Sequence, residues 1–299
     1  MIDRHPSFSI FLESVFIPRF YYTQFLYWPL TNPANVGRLA EAIVNRPSAR
    51  LHGLQWNESV KGLMTHSTYP SLLEAIMTAW ANEHGKPRWG DKTPGYISYI
   101  HVLHRMFPDA YFVHIVRDAR DVWLSAKTSG WAYNPGAYAY ARDWRDSVGH
   151  ARGYARRNAC RYLEVRYEDL IEDAESVLRR VFAFLQEDFD VRVLVPENKP
   201  GRNEAFKPWP GVNRKIVSDN KRKWMRELSD REVLAVESQA GQLLHELGYE
   251  RRYLQIPVRR QIVGECNVLT AKISNAIQST RRGVRFAFRT IFNRFPAGK

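Results

Sequence analysis

The sequence has few cysteines and no long apolar run. Its 299 residues include only Cys160 and Cys266, which stand far apart, so the pattern indicates neither a disulfide framework nor a cysteine-rich metal site. No apolar stretch approaches the ~20 residues that a membrane-spanning helix requires, and we find no signal peptide. We therefore expect a protein of a reducing, cytoplasmic compartment.

Two common signatures of nucleotide and metal chemistry are also lacking. The pattern G-x-x-x-x-G-K-[ST] does not occur, which disfavours a P-loop kinase. His101 and His104 lie three residues apart on a predicted helix, but no third ligand accompanies them at usable spacing. We expect no metal site, because zinc sites in proteins take at least three side-chain ligands.

Acidic residues are nearly absent from the end of the chain. Residues 251–299 hold 11 lysines and arginines against one acid, Glu265, so this segment carries +10 of the formal net charge of +13. The remaining 250 residues are almost balanced. A nucleic-acid-binding body is therefore not indicated, because the excess charge belongs to an appendage.

Strand and helix patterns alternate through the body. Helices are predicted over about 34–45, 70–81, 173–186 and 228–249, with a further helix after Thr93-Pro94. Strands are predicted at 88–90, 110–116 and 161–165, and the apolar run AYFVHIV (110–116) is typical of a strand buried on both faces. This alternation predicts an α/β fold with a parallel sheet. Residues 196–220 have the composition of a long loop.

The stretch HIVRDARDVWLS (114–125) carries the clearest chemical signal. A strand ends at Arg117, a helix begins near Asp118, and Ser125 follows two turns later. Ligands of parallel sheets bind beyond the carboxyl ends of the strands, so a guanidinium and a hydroxyl at a helix start indicate a phosphate site. The alternative is that Arg117 pairs with Asp118 or Asp121.

Two further charged residues stand beside predicted elements. In GDKTP (90–94), Lys92 ends a strand and precedes a helix start, where it could meet an anion or simply be a surface lysine. Glu13 lies among apolar neighbours, which would suit it to act as a general base. Pairing of Glu13 with Arg4 or Arg19 is equally consistent with the sequence.

Taken together, these motifs resemble those of the PAPS-dependent sulfotransferases. The resemblance rests on Arg117 and Ser125, GDKTP, RYEDL (166–170), Lys223-Trp224 and LGY (247–249). The opening, His5-Pro6, Glu13 and Ile17-Pro18-Arg19, looks most like the tyrosylprotein sulfotransferase branch and its bacterial relatives. It implies a P-loop-NTPase-like three-layer fold over residues 1–250, with no metal in the reaction.

The resemblance also implies a role for each matching residue. Arg117 and Ser125 would hold the 3′-phosphate of PAPS, and Glu13 would act as base on the acceptor hydroxyl. Lys92 would stabilise the sulfuryl group and the leaving phosphate, and Lys223 would approach the phosphosulfate. Arg214 and Lys215 could reach the 3′-phosphate from the long loop. The acceptor would be a sugar, lipid or small metabolite.

One family element is absent from the sequence. Sulfotransferases begin with a strand and a P-R-S-G-T-T-like loop that holds the 5′-phosphosulfate, followed by a helix running into His-Pro, and no such loop occurs here. Met1–Arg4 reads as the last turn of that helix. We therefore expect the first strand and the phosphosulfate loop to be missing, through truncation or a wrong start or in a genuine pseudoenzyme, and activity to be weak or absent.

The basic segment 251–299 forms a second predicted region. Its apolar residues between 268 and 295 recur at helical spacing, with Arg281, Arg285 and Arg289 beside them. Such a helix would lie on an anionic membrane surface, at the inner face of the membrane, or dock on the body. Two other functions stay open: a nucleotide-binding relative without activity, and a basic protein that binds nucleic acid or membranes, although we expect no nucleic-acid partner.

Overall fold

The computed structural model of the chain describes residues 1–129, 136–195 and 220–255. Its strands, in chain order, are β1 (Phe8–Leu12), β2 (Arg88–Lys92), β3 (Tyr111–Val116) and β4 (Arg161–Arg166). Its α-helices are α1 (Ile17–Thr23), α2 (Pro33–Val44), α3 (Pro47–Leu51), α4 (Glu58–Gly62), α5 (Tyr69–Glu83), α6 (Ile100–Met106), α7 (Ala119–Thr128), α8 (Ala137–Arg157), α9 (Tyr167–Glu172), α10 (Ala174–Phe184), α11 (Trp224–Glu227) and α12 (Asp230–Glu246). Short 3₁₀ helices occupy Ile2–Arg4, Gln24–Tyr27, Pro94–Tyr99 and Val191–Leu194.

Local capping signals start several of these helices. The Asn32 side chain accepts from the Ala34 amide before α2, and Asp118 accepts from the Arg120 amide before α7. Ser229 and Glu232 form a reciprocal capping box at the start of α12. Each cap satisfies an amide that has no partner within its helix. The predicted helices at 34–45, 70–81 and 228–249 are confirmed, as is the helix start near Asp118.

The chain after Thr93-Pro94 differs from the prediction. It first forms the 3₁₀ helix Pro94–Tyr99 and becomes α-helical only at Ile100. Thr93 is the N-cap residue and Pro94 lies in the first turn, as the sequence indicates, although the Thr93 side chain makes no capping hydrogen bond. The Thr93 hydroxyl donates to Asp91 Oδ1 at 2.7 Å. The first predicted helical turn, Met1–Arg4, is the 3₁₀ turn Ile2–Arg4.

The described strands form two parallel pairs. β1 pairs with β2 in the register Phe8↔Arg88 to Leu12↔Lys92, and β3 pairs with β4 from Tyr111↔Arg161 to Val116↔Arg166. The predicted strands at 88–90, 110–116 and 161–165 and their parallel direction are confirmed. The architecture is mixed α/β, with two short parallel sheets among many helices.

β1 was not predicted from the sequence. Its five residues alternate only weakly in polarity, and Pro6 stands two residues before it. The pairing that makes it a strand comes from β2, about 80 residues later in the chain. β1 follows His5-Pro6 and leads through a turn to α1, so it is not the strand expected ahead of His-Pro, and it leaves that expectation untested.

β3 is not buried on both faces. Four of its residues are half-buried, and the side chain of Ile115 is 54% exposed. The prediction from the apolar run AYFVHIV was wrong in this respect. Burial on both faces requires elements packed over both faces of the sheet, and the exposure of Ile115 means that one face of β3 is only partly covered by the described residues.

The chain divides into two compact units. The first comprises residues 1–116 and 150–218, and the second comprises residues 117–149 and 219–299. Within the described ranges the first unit holds both sheets and helices α1 to α6, while α7, α11 and α12 belong to the second. No helix of the described residues combines the length and the apolar character that crossing a membrane requires.

The first unit has two apolar clusters. The larger packs α2 and α5 against β1, the following turn and α1, with Phe11, Leu39, Ile43, Leu73 and Trp80 almost fully buried. The smaller packs α10 against Phe8 of β1 and Val165 of β4. β1 thus contributes to both clusters, which holds the turn that follows it in a fixed place.

Candidate active site

The carboxyl ends of β1 and β2 bring Glu13 and Lys92 together. Lys92 is the last residue of β2 and lies opposite Leu12, so Glu13 is the first residue beyond the paired strands. The Glu13 amide donates to the Lys92 carbonyl at 3.0 Å, and Lys92 Nζ lies 3.1 Å from Glu13 Oε1. Neither of the sequence-based alternatives for Glu13 is found: Arg4 donates to the Val193 carbonyl, and Arg19 is exposed on α1.

The turn between β1 and α1 has an unusual backbone. Glu13 and Val15 adopt φ angles of 57° and 59°, in the left-handed region. This region is unfavourable for residues other than glycine, and most of all for a β-branched residue such as Val15. Strain of this kind persists only where surrounding contacts hold it, and it occurs often at functional sites.

Buried polar contacts supply that support. Ser14, between the two strained residues, is buried, and its hydroxyl shares a 2.6 Å hydrogen bond with the Tyr96 hydroxyl. The Tyr96 hydroxyl also accepts from the Ile17 amide at 3.0 Å, and Ser48 Oγ donates to the Ser14 carbonyl at 2.8 Å. Burial, and secondly the charge of Asp91, raise the pKa of Tyr96, so this hydroxyl stays neutral.

Asp91, which precedes Lys92 on β2, places a second carboxyl group beside Ser14 of the turn. Its Oδ1 accepts from Thr93, while its Oδ2 is shielded from solvent. Burial raises the pKa of Asp91 to about 6, although hydrogen bonds from Ser14 and Thr93 oppose the rise. Glu13 and Asp91 are therefore two carboxyl groups in different surroundings, one partly exposed beside a lysine and one with its Oδ2 shielded from solvent.

The strand–helix junction after β3 lies in the second unit and contains Arg117 and Ser125. Arg117 follows β3 directly, and its Nη2 donates to the Asn220 carbonyl at 3.0 Å. Ser125 lies two turns into α7 and is exposed. Both side chains are hydrogen-bond donors, as a phosphate group requires.

The acids that flank Arg117 make other contacts. Asp118 binds the Arg120 guanidinium through both carboxylate oxygens, at 2.9 and 2.7 Å. Arg120 also donates to Glu237 Oε1 at 2.6 Å, and its guanidinium lies 3.7 Å from the centre of the Trp224 ring. All three charged residues are buried. Asp118 is thus engaged by Arg120 in a buried ionic cluster.

Asp121 holds the backbone around Lys223. Its Oδ2 accepts from the Arg222 amide at 2.7 Å, and its Oδ1 accepts from the Trp224 amide at 2.9 Å. Burial raises the pKa of Asp121, while these two amides and the charge of Arg117 act in the opposite direction. Lys223 lies between the two anchored amides, at the N-cap of α11.

The remaining predicted site residues have different outcomes. Arg214 and Lys215 lie outside the described residues. His101 and His104 are both on α6, as predicted, where they contact Tyr22 and Tyr154 respectively. In the described part of the chain, no group of three or more histidine, cysteine, aspartate or glutamate side chains is arranged to hold a metal.

The sequence did not predict the residues that support Glu13, Lys92 and the turn between β1 and α1. Asp91 stands within GDKTP, so its proximity to Lys92 was visible, but its burial was not. Ser14, Ser48 and Tyr96 carry no signal in the sequence, because they meet only through contacts across 34 and 82 residues. Trp224 and Tyr249, which belong to family-like motifs, are buried packing residues.

Comparison with known proteins gives matches of different strength. A protein of Aquifex aeolicus (strain VF5), described only as uncharacterized, is 28% identical over 155 residues, which are 48% of this chain and 20% of that protein. The chain thus spans about a fifth of the curated relative it matches.

Two solved structures are also similar. The sulfotransferase domain from the curacin biosynthetic pathway has a TM-score of 0.47 at 20% identity, covering 64% of this chain and 76% of that one. The sulfotransferase domain of the Synechococcus PCC 7002 olefin synthase has a TM-score of 0.49 at 22% identity, covering 82% of this chain and 94% of that one.

The strongest match comes from a family model. The model described as the sulfotransferase family matches residues 1–191, which is well over half of the chain and includes Glu13, Lys92, Arg117 and Ser125. On this match, the chain belongs to the sulfotransferase family.

Proposed function

We propose that this protein transfers a sulfuryl group from PAPS to a hydroxyl group on a sugar, a lipid or a small metabolite. The observation that carries the proposal is the contact between the Glu13 carboxylate and the Lys92 ammonium, 3.1 Å apart at the ends of two parallel strands. A proton acceptor and a cation side by side are the two groups that such a transfer requires.

Glu13 and Lys92 would have complementary roles. Glu13 would accept the proton of the attacking hydroxyl, and Lys92 would stabilise negative charge on the transferred group and on the leaving phosphate. When bound, PAPS supplies the sulfuryl group and is left as adenosine 3′,5′-bisphosphate. The left-handed backbone of residue 13 sets the direction of its Cα–Cβ bond, and the contact with Lys92 places its carboxylate.

The donor set of the second unit fits a phosphate group. Arg117 offers a guanidinium and Ser125 a hydroxyl at one strand–helix junction, and Asp118 is engaged by Arg120. We assign the 3′-phosphate to Arg117 and Ser125, with Lys223 directed at the phosphosulfate. Arg214 and Lys215 are further candidates for the 3′-phosphate on the strength of the sequence alone.

Catalytic variants test the proposal in two measurements. The first is sulfuryl transfer from radiolabelled PAPS to a panel of sugar, lipid and small-metabolite hydroxyls. Glu13→Gln should lower turnover by roughly 10²–10⁴-fold, and Lys92→Ala by roughly 10²–10³-fold. The second is calorimetric binding of adenosine 3′,5′-bisphosphate, which Glu13→Gln should leave unchanged. Full turnover of both variants would overturn the assigned roles.

Binding variants test the phosphate assignment separately. Arg117→Ala should weaken binding of the bisphosphate by roughly 10–100-fold, because it removes a charge-assisted hydrogen bond worth about 1.5–3 kcal/mol. Arg179→Ala is the control, since this arginine is exposed on α10 and pairs with Glu175 of the same helix. Equal affinity of the Arg117 variant and the native protein would remove Arg117 from the site.

A nucleotide-binding protein without activity is the second candidate. Such a protein would use the same phosphate donors, Arg117 and Ser125, without proton transfer to Glu13. Tight binding of the bisphosphate with no transfer to any acceptor would support this candidate. Slow but measurable transfer that depends on Glu13 would support the first.

We further propose a cytoplasmic location, supported by the two isolated cysteines, and contact of the basic segment 251–299 with the inner membrane face. No nucleic-acid partner is proposed, because the excess charge lies in that segment. Binding to phosphatidylglycerol vesicles that weakens as salt rises would support the membrane contact. Equal binding to neutral vesicles would count against it.

A further inference from the structure

The segment after the active-site turn exposes an unusual number of large apolar side chains. Tyr22, Phe25, Leu26 and Trp28 lie within seven residues of one another, and each side chain is between 51% and 67% exposed. We name these four residues the apolar ridge. Single exposed apolar residues are ordinary on protein surfaces, but a contiguous group of this size marks an interaction site.

The residues that flank the apolar ridge pack into the core of the first unit. The neighbouring Phe20 and Leu30 are buried, and Tyr21 and Tyr27 pack against the larger apolar cluster of the first unit. The Trp28 amide donates to the Phe25 carbonyl, which closes the 3₁₀ turn. One side of this short segment is therefore core, and the ridge is its opposite side.

Positive charge borders the ridge. Arg19 is exposed one turn before it, and Arg105 Nη1 lies 3.3 Å from the Tyr21 hydroxyl. At the other end, Arg38 donates to Asn35, whose side-chain amide donates to the Pro29 carbonyl at 3.0 Å.

Acidic residues are absent from the same stretch of chain. Residues 14–40 contain no aspartate or glutamate, and neither does α6, which carries Arg105. The surroundings of the ridge are therefore complementary to an anionic surface.

We propose that the apolar ridge docks this protein onto an anionic lipid membrane. Tryptophan, tyrosine, phenylalanine and leucine side chains insert at the boundary between headgroups and acyl chains, while flanking arginines meet the lipid phosphates. The ridge belongs to the first unit and to residues near Glu13, so this contact is distinct from any contact of segment 251–299. It does not depend on the sulfuryl-transfer chemistry.

Vesicle co-sedimentation of the full chain tests the docking. The native protein should bind vesicles of phosphatidylcholine and phosphatidylglycerol in equal amounts, bind pure phosphatidylcholine more weakly, and dissociate as salt rises. The triple variant Phe25→Ser, Leu26→Ser, Trp28→Ser should bind the mixed vesicles about tenfold or more weakly. Its thermal unfolding should match that of the native protein, since the three side chains are exposed.

A matched control separates the ridge from apolar exposure in general. Val191 and Val195 are comparably exposed, at 64% and 56%, and the arginine between them, Arg192, forms an ion pair with Asp190. The double variant Val191→Ser, Val195→Ser should bind vesicles as the native protein does. Equal loss in both variants would overturn the proposal.

A fluorescence measurement places the ridge in the bilayer directly. Brominated lipids quench tryptophans that enter the acyl region, so Trp28→Phe should keep vesicle binding but lose most of the quenching. Unchanged quenching in this variant, or undiminished binding of the triple variant, would show that another surface makes the contact. A native dimer that the triple variant converts to monomer without vesicles would instead assign the ridge to a second copy of the chain.

Discussion

The turn after β1 and the junction after β3 are built from similar residues but use their charges in different ways. After β1, Glu13 and Lys92 form an ion pair whose side chains are both partly exposed, on a backbone with left-handed residues. After β3, Asp118, Arg120 and Glu237 form a cluster that is buried almost completely. The first arrangement leaves charge within reach of solvent, while the second encloses it.

The difference indicates which charged groups can bind a ligand or take part in a reaction. A partly exposed pair contributes little to stability, so its members can exchange partners when a ligand arrives. A buried cluster whose members all have partners is expensive to break, so it serves to hold neighbouring backbone in place. We therefore expect variants of the first to change activity, and variants of the second to change stability.

The largest expected effect comes from Arg120→Met. This change leaves the carboxylates of Asp118 and Glu237 buried without their cation, which should lower the free energy of unfolding by about 3–5 kcal/mol. Urea denaturation measures this loss in the free energy of unfolding. Lys92→Met is the matched variant in the exposed pair, and it should cost no more than about 1 kcal/mol. Similar losses in the two variants would break the comparison.

The next effect is the dependence of the free energy of unfolding on pH, which Asp91 introduces beside the turn between β1 and α1. Its pKa of about 6 in the folded protein exceeds the ordinary value of 3.8, so the folded state binds the proton more tightly than the unfolded state does. Stability should therefore fall as pH rises from about 4 to about 6, and stay lower above that range. A shift of this size corresponds to about 2–3 kcal/mol.

Asp91→Asn checks this dependence. The variant has no titrating group at this position, so it should gain stability relative to the native protein as pH rises from 4 to 7, measured by urea denaturation at each pH. Burial also lowers the pKa of His114 to about 4, but this histidine is present in both proteins and its contribution cancels. A constant difference between the two proteins would contradict the prediction.

A smaller effect is expected at Asp121, which anchors backbone rather than another side chain. Asp121→Asn replaces one accepting oxygen by a donor that faces an amide N–H, at a cost of about 1–3 kcal/mol. The amides of Arg222 and Trp224 should then exchange their hydrogens faster than those of α12. If their exchange is unchanged, Asp121 does not hold the segment that carries Lys223.

The smallest effect is a gain in stability at Val15. Val15→Gly removes the left-handed strain of about 1–2 kcal/mol but adds the unfolded-state freedom of glycine, about 0.5–1 kcal/mol. A net gain of about 0.5–1 kcal/mol is expected, because the exposed valine side chain loses little packing. Val15→Ala keeps the Cβ atom and loses only the β-branch, so it should gain less than Val15→Gly. A gain in Val15→Ala as large as that in Val15→Gly would mean that the left-handed backbone is not the cause.

Elements with local signals were predicted well. Helices α2, α7 and α12 were predicted from their residue patterns, and they begin at local caps, Asn32, Asp118 and Ser229, that act within one turn. The same holds for the strands at 111–116 and 161–166, whose apolar composition favours a strand. Arg117 and Ser125 were placed correctly on a strand end and a helix because both elements are local.

Features that depend on distant partners were not predictable. β1 is a strand because β2 pairs with it, and Ile115 of β3 is exposed because burial depends on which elements pack over that face of the strand. The Thr93 hydroxyl donates to Asp91 and makes no capping hydrogen bond, a choice set by the position of the Asp91 carboxylate.

The sequence by itself determined the family motifs and several helix starts, because these follow from residue types within a few positions. The alternation of strands and helices along the chain determined the parallel direction of the strands. The tertiary structure alone decided that Glu13 meets Lys92, that Glu237 binds Arg120, and that the apolar ridge faces outward. Such contacts join residues that are far apart in the chain or opposite sides of one short segment. They arise only when the packing of the core selects one partner and buries one face.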